Sequence, residues 1–200
     1  MHPDTRDVAK HMREFGLVVL GRAAYQCTFS DMGAPYGHAM AVGHAAHGAE
    51  LVIKARIADE HPLLIFSSVP KSGSTTEMLS IKELFETGRT IQYSDLPEAL
   101  WAATGIRMGR VDQYQKFGRY RNTIMHFAVP NEEWSHLTME FLFQVIEPLV
   151  DTFWKESIIP YATVWDEVTV AEGYLEERLK NCGIEISPAM RAAIDNEMNQ

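Results

Sequence analysis

Residues 116–127, with the sequence KFGRYRNTIMHF, combine side chains that can act together on a phosphodiester. His126 offers an imidazole that accepts or donates a proton near neutral pH. Arg121 offers a guanidinium that can hold two phosphate oxygens and stabilise the negative charge that builds up on them during reaction. Asn122 lies four residues before His126, so on a helix its amide could orient the imidazole or hold a phosphate. This set predicts cleavage of an RNA backbone without a metal ion.

The surroundings of these residues carry positive charge and aromatic rings. From residue 107 to residue 121 the chain holds five basic residues and one acid, although its formal net charge is −9. A local basic segment on an acidic protein suits a short single-stranded nucleic acid rather than a wrapped duplex. Lys116, Arg119 and Tyr120 are the residues of this segment that we expect to bind RNA. The simpler interpretation is an ordinary solvated helix face.

The spacing of Arg121 and His126 is not distinctive by itself, since Arg6–His11 and Arg56–His61 have the same separation. The first of these other pairs falls in the opening turns of the chain, where fraying opposes accurate positioning of catalytic groups. The second closes a helix, where the helix dipole favours basic residues. The basic and aromatic setting therefore singles out Arg121 and His126.

Hydrophobic residues recur at three- and four-residue steps along most of the chain and predict helices. We expect long helices over residues 4–28, 38–61, 111–127 and 132–154, shorter ones ending near residues 88 and 105, and two more within 170–183 and 187–200. Gly43 and Gly48 in the second helix indicate close helix–helix contact. The stretch LLIFSSV has strand character but no evident partner, so we interpret it as a connection. The predicted fold class is all-α, an up-and-down bundle of four to five core helices at residues 4–155, with a C-terminal helical extension at residues 156–200 packed on or beside it.

Length and composition restrict the class of protein. A chain of 200 residues with 46% hydrophobic and 22% charged residues suits one globular domain with a helical extension. Cys27 and Cys182 are too few for a disulfide framework and are interpreted as free thiols of a reducing cytoplasm. The charged N-terminal segment does not have the pattern of a secretory leader, and the longest apolar run, residues 15–21, is too short to cross a bilayer. We therefore expect a cytoplasmic protein with no membrane partner.

Two other patterns point to different chemistry and are less favoured. His44, His47 and Glu50 follow one another at steps of three, as metal ligands on a helix can, but the only Glu-x-x-His pair in the sequence, Glu133 and His136, has no mate on another helix. Glu50 and Lys54 are better explained as an ion pair between successive helical turns. The stretch FSSVPKSGSTT resembles the phosphosulfate-binding loop of sulfotransferases, yet that loop needs a parallel sheet, and this chain predicts helices on both sides. No metal or other cofactor is predicted.

The sequence YRNTIMHF, residues 120–127, resembles the Arg-polar-x3-His signature of the HEPN superfamily, the all-α ribonucleases of toxin–antitoxin, abortive-infection and CRISPR-linked systems. The stretch HAAHGAELVIKARIA is similar to the early helix of prokaryotic members, in which a Glu and a Lys occupy the places of Glu50 and Lys54. The resemblance implies that Arg121 and His126 are catalytic with the help of Asn122, and that Glu50 and Lys54 support the structure.

The resemblance also implies a homodimer in which two signature helices face each other and form one composite site. There the 2′-hydroxyl of the RNA attacks the adjacent phosphate and leaves a cyclic phosphate end, with no cofactor. RNA is then the substrate, in a toxin or phage-defence role, and an inhibitory antitoxin or another defence protein is an expected partner. Some members of the superfamily are catalytically silent. The alternative is therefore a non-catalytic helical RNA-binding or regulatory module of a defence complex.

Overall fold

The computed structural model describes residues 7–29, 36–69, 80–127, 129, 132–163 and 173–198. It confirms the all-α class, because within these ranges helices dominate and the strands form one two-stranded sheet. No helix in the described ranges is both long enough and apolar enough to cross a membrane. The α-helices are α1 (Val8–Thr28), α2 (Gly37–Glu60), α3 (Ile81–Thr87), α4 (Leu96–Thr104), α5 (Val111–His126), α6 (Trp134–Phe141), α7 (Glu147–Trp154), α8 (Ile159–Thr163), α9 (Tyr174–Asn181) and α10 (Pro188–Met198).

Contacts divide the chain into two compact units. The first consists of the described parts of Met1–Phe15 and Glu50–Met108, and the second of the described parts of Gly16–Ala49 and Gly109–Gln200. The long helices α1 and α2 are each divided between the two units, whereas α5 to α10 all belong to the second. The boundary near residue 155 between a bundle and a C-terminal extension stays a prediction.

The first unit contains two short strands. β1 (Phe66–Ser68) pairs antiparallel with β2 (Arg89–Thr90), and Phe66 lies opposite Thr90. The interpretation of LLIFSSV as a connection without a strand partner is therefore wrong. The partner is hard to detect in the sequence because two residues are too few to show an alternating pattern.

The helix between these strands is bounded by specific side chains. Ser80 caps α3, because its hydroxyl accepts a hydrogen bond from the backbone N–H of Glu83 at 3.2 Å while the Glu83 carboxylate accepts one from the backbone N–H of Ser80 at 2.9 Å. Gly88 follows α3, and a methyl group there would lie 2.8 Å from the Phe66 ring, so the turn into β2 needs a glycine. Residues 70–76, most of the stretch that resembles a sulfotransferase loop, lie outside the described residues.

Glycines let helices of the second unit approach one another. A methyl group on Gly48 of α2 would lie 2.7 Å from Cγ and 3.0 Å from the backbone nitrogen of Leu20 in α1, a fully buried residue. The predicted close helix contact is therefore present at Gly48. At Gly43 the nearest atom to such a methyl group would be the sulfur of Met125, at 3.5 Å, so there only the end of a flexible side chain approaches.

The long helix predicted over residues 132–154 is interrupted by a single π-helical turn, Leu142–Ile146, between α6 and α7. Pro148 explains the interruption, since a proline inside a helix donates no hydrogen bond and its ring crowds the carbonyl four residues earlier.

Glu147, the residue before Pro148, is 2% exposed, and its carboxylate accepts hydrogen bonds from the Ser157 hydroxyl at 2.6 Å and the Ile158 N–H at 2.8 Å. Burial raises the pKa of Glu147. Its carboxyl group holds the turn that follows α7.

We expect Gly48→Ala to lower the free energy of unfolding by about 1–3 kcal/mol, because the added methyl group collides with a buried leucine and backbone that cannot move aside. Gly43→Ala is the matched control in the same helix. It should raise the free energy of unfolding by up to about 1 kcal/mol, since alanine is the better helix former and the space is open. Urea unfolding followed by circular dichroism measures both. Equal effects of the two substitutions would contradict the packing described for Gly48.

Candidate functional site

Aromatic side chains anchor α5, the helix that carries the predicted signature. Tyr114 and Phe117 are buried, and the Phe117 ring stacks on Phe141 of α6 with centroids 3.8 Å apart and planes 2° from parallel. One turn further on, Tyr120 meets Trp134 edge to face at a centroid distance of 5.5 Å. These contacts hold one face of α5 against α6 and leave the opposite face to solvent.

The solvent face of α5 is a polar stripe, which we define as Lys116, Arg119, Asn122 and His126. The four residues follow one another at steps of three, three and four, and all are exposed. The Lys116 ammonium lies 5.5 Å from the centroid of the Tyr120 ring, so these two predicted RNA-binding residues are adjacent. The backbone carbonyl of Arg119 accepts a hydrogen bond from the Thr123 hydroxyl, and the side chain of Arg119 is exposed. A basic stripe of this kind can follow a nucleic-acid backbone.

Arg121 lies outside the polar stripe but contacts it. Five residues along a regular α-helix correspond to about 140° of rotation and about 7.5 Å of rise, so Arg121 and His126 leave the helix in different directions. Asn122 shares the face of His126, because the two are four residues apart. The guanidinium of Arg121 donates a hydrogen bond from Nη1 to Oδ1 of Asn122 at 2.9 Å. This bond turns the Arg121 side chain toward the face that carries His126.

Exposed apolar side chains surround the end of α5. Phe127 is 87% exposed and Met125 is 62% exposed, and the Met125 sulfur lies near Gly43 of α2. Residues 36 and 40, also exposed and apolar, lie at the start of α2, and residues 36 and 129 line one cleft. We call this set the apolar rim; its members are Tyr36, Met40, Met125, Phe127 and Val129. The sequence alone does not indicate this set, because isolated methionines and valines in a helical pattern are typical of a core.

The predicted ion pair between Glu50 and Lys54 is present in the first unit. Lys54 is 5% exposed, and its Nζ lies 2.6 Å from Oε1 of Glu50 and 3.1 Å from Oγ1 of Thr90. The buried ammonium thus joins α2 to β2. The supporting role that the family resemblance gives to this pair stays a prediction.

The alternative metal site on α2 finds no ligand set in the described part of the chain. Nδ1 of His44 lies 2.7 Å from Oε1 of Gln26 in α1, so this nitrogen of the imidazole is already hydrogen-bonded. Burial lowers the pKa of His44, and the nearby Arg22 lowers it further, so the neutral ring is favoured. Across the described ranges, no three His, Cys, Asp or Glu side chains are grouped so that they could hold a metal ion.

Comparison with protein-family models, with curated proteins and with solved structures finds no match to this chain. The case for a function therefore rests on the side chains of α5 and on what surrounds them.

The packing of α5 predicts a sharp contrast between two phenylalanines. Phe117→Ala should lower the free energy of unfolding by about 3–5 kcal/mol, because it removes a buried, stacked ring. At a protein concentration low enough to keep the chain monomeric, Phe127→Ala should change it by no more than about 0.5 kcal/mol, because that ring is exposed in the single chain, and His126→Ala should be equally neutral. Urea unfolding of the purified variants measures these values. A large loss of stability in His126→Ala would show that the imidazole belongs to the core and not to a solvent-facing site.

Proposed function

We propose that this protein is a metal-independent endoribonuclease of the HEPN type that cleaves single-stranded or loop RNA. The observation that carries the proposal is the hydrogen bond from Arg121 to Asn122, which turns the guanidinium toward the helix face of His126. A phosphate at that face would meet a cation, an amide donor and an imidazole. These are the groups that cleavage without a metal requires.

The reaction we propose is a transesterification. The 2′-oxygen of the ribose bonds to the adjacent phosphorus, the bond from phosphorus to the 5′-oxygen breaks, and a 2′,3′-cyclic phosphate and a 5′-hydroxyl result. A base takes the proton of the 2′-hydroxyl and an acid supplies one to the leaving 5′-oxygen. In the homodimer that the resemblance implies, two copies of His126 supply the base and the acid. Arg121 stabilises the extra negative charge on the phosphorus oxygens, and Asn122 holds Arg121 in place.

The surfaces around the site support this assignment. The polar stripe provides the cations Lys116 and Arg119 next to the Tyr120 ring, as binding of a short single strand requires. The apolar rim supports homodimerisation, since a second copy would cover Phe127 and Met125 at the point where a composite site needs it. The proposal extends to a cytoplasmic role as a toxin or in phage defence, with an antitoxin or another defence protein as partner.

A cleavage assay in EDTA tests the proposal, with purified protein and a panel of structured and single-stranded RNAs. We expect the wild type to cleave RNA, and Arg121→Ala and His126→Ala each to slow cleavage about 100-fold or more, as loss of an electrostatic or acid–base group does. His11→Ala is the matched control, because His11 is exposed and follows an arginine at the same spacing.

Equal cleavage by all four proteins, or none by the wild type, would contradict the enzymatic proposal. RNA that is bound but left intact by the wild type would instead favour the alternative, a non-catalytic RNA-binding or regulatory module. The same basic and aromatic face of α5 would then serve for binding alone.

A further inference from the structure

A cleft of about 480 Å³ opens in the second unit, at the starts of two helices and the end of a third. Its walls include His38 at the start of α2, Trp134 and His136 at the start of α6, and Arg178 and Asn181 on α9. The volume lies in the range of pockets that hold small molecules. None of these five residues belongs to the stretch, residues 116–127, that predicted the α5 site.

Arg178 is the most unusual group in this cleft. One end of its guanidinium is fixed, because Nη2 donates a hydrogen bond to the Ser135 hydroxyl at 2.7 Å, and this hydroxyl donates in turn to the Cys27 carbonyl. Its Nε is buried and has no hydrogen-bond partner, and in the described part of the chain no carboxylate forms an ion pair with Arg178. Because Arg178 also lines the cleft, its positive charge can meet an anion bound there.

Among the described residues, the acidic groups near Arg178 form no ion pair with it. The Cys27 and Cys182 thiols lie within electrostatic range of it, but burial raises the pKa of Cys27 to about 12 and also raises that of Cys182, so both stay uncharged. Glu132 and Glu133 line the cleft and are exposed. Because both carboxylates are exposed, water and salt screen their repulsion of an anion bound beside Arg178.

The rest of the wall suits a phosphate. Two imidazoles, His38 and His136, are half-buried there and can donate hydrogen bonds to phosphate oxygens. Nε2 of His136 lies 3.6 Å from Oε1 of Glu140. α2 and α6 both begin at the cleft, so their first N–H groups and the positive ends of their dipoles add to the attraction for an anion.

We propose that this cleft binds a phosphate monoester about the size of a mononucleotide, with Arg178 as its principal cation and His38 and His136 as further donors. Tyr36, which is 65% exposed, supplies the aromatic surface for a base, and the Asn181 amide can read the edge of that base. The phosphate can come from a free mononucleotide or from the terminal phosphate of an RNA strand. This inference does not depend on the proposed nuclease activity.

Isothermal titration calorimetry of the full chain tests the proposal with inorganic phosphate, adenosine 5′-monophosphate and adenosine. We expect the monophosphate to bind, inorganic phosphate to compete with it, and adenosine to bind far more weakly. Arg178→Gln should weaken binding of the monophosphate about tenfold or more, as loss of a charge-assisted contact does. Lys180→Gln is the matched control on the same helix, because Lys180 is exposed and does not line the cleft; it should leave binding unchanged.

His38→Ala keeps the test decisive if Arg178→Gln does not fold, since it removes the imidazole donor that α2 contributes and should also weaken binding. His126→Ala should bind the monophosphate as the wild type does, which separates this cleft from the α5 site. Short RNAs with and without a 5′-phosphate distinguish the two sources. If the RNA with a 5′-phosphate binds more tightly than the monophosphate, and the RNA without it does not, the ligand is the end of an RNA strand. In any other case the ligand is the free nucleotide. Equal binding of adenosine and its monophosphate, or no binding of the monophosphate at about 10 mM, would overturn the proposal.

Discussion

The stacked rings of Phe117 and Phe141 join α5 to α6, and the surface chemistry of α5 depends on that contact. With Tyr114 buried beside them and Tyr120 against Trp134, one face of the helix is committed to packing. The polar stripe on the other face must then point into solvent, with its cations, amide and imidazole in one line along the helix axis. A helix that rotated to bury His126 would expose these rings, so the same aromatic residues set both the stability of the helix and the direction of the site.

Much of the fold follows from periodicity, and the departures have local causes. The predicted helices over 38–61 and 111–127 agree with α2 and α5 to within about one residue, because both are long runs that end before a proline or another clear break. The pairing of β1 with β2 lay beyond this reasoning, since a strand of two residues has no pattern. The π turn before Pro148 lay beyond it as well, because periodicity alone does not show how a helix accommodates a proline.

The two candidate sites differ in how far the sequence indicates them. Arg121, Asn122 and His126 lie within six residues, so their spacing was visible, although the same spacing occurs elsewhere in the chain. What the spacing could not show was the hydrogen bond from the Arg121 guanidinium to Asn122, a residue on the same helix face as His126. The cleft around Arg178 left no trace in the sequence, because its residues come from three helices far apart along the chain. Only tertiary packing brings Arg178 to this cleft.

In the proposed reaction, Arg121, Asn122 and His126 of α5 promote attack of the RNA's own 2′-hydroxyl on the adjacent phosphate. Mass spectrometry of the cleaved ends, from reactions run in EDTA, tests that chemistry most directly. We expect 2′,3′-cyclic phosphate and 5′-hydroxyl ends. We also expect no cleavage of a strand that carries a single 2′-deoxy residue at the cleaved position. Products with 3′-hydroxyl and 5′-phosphate ends, or cleavage of the deoxy-substituted strand, would contradict the proposed reaction.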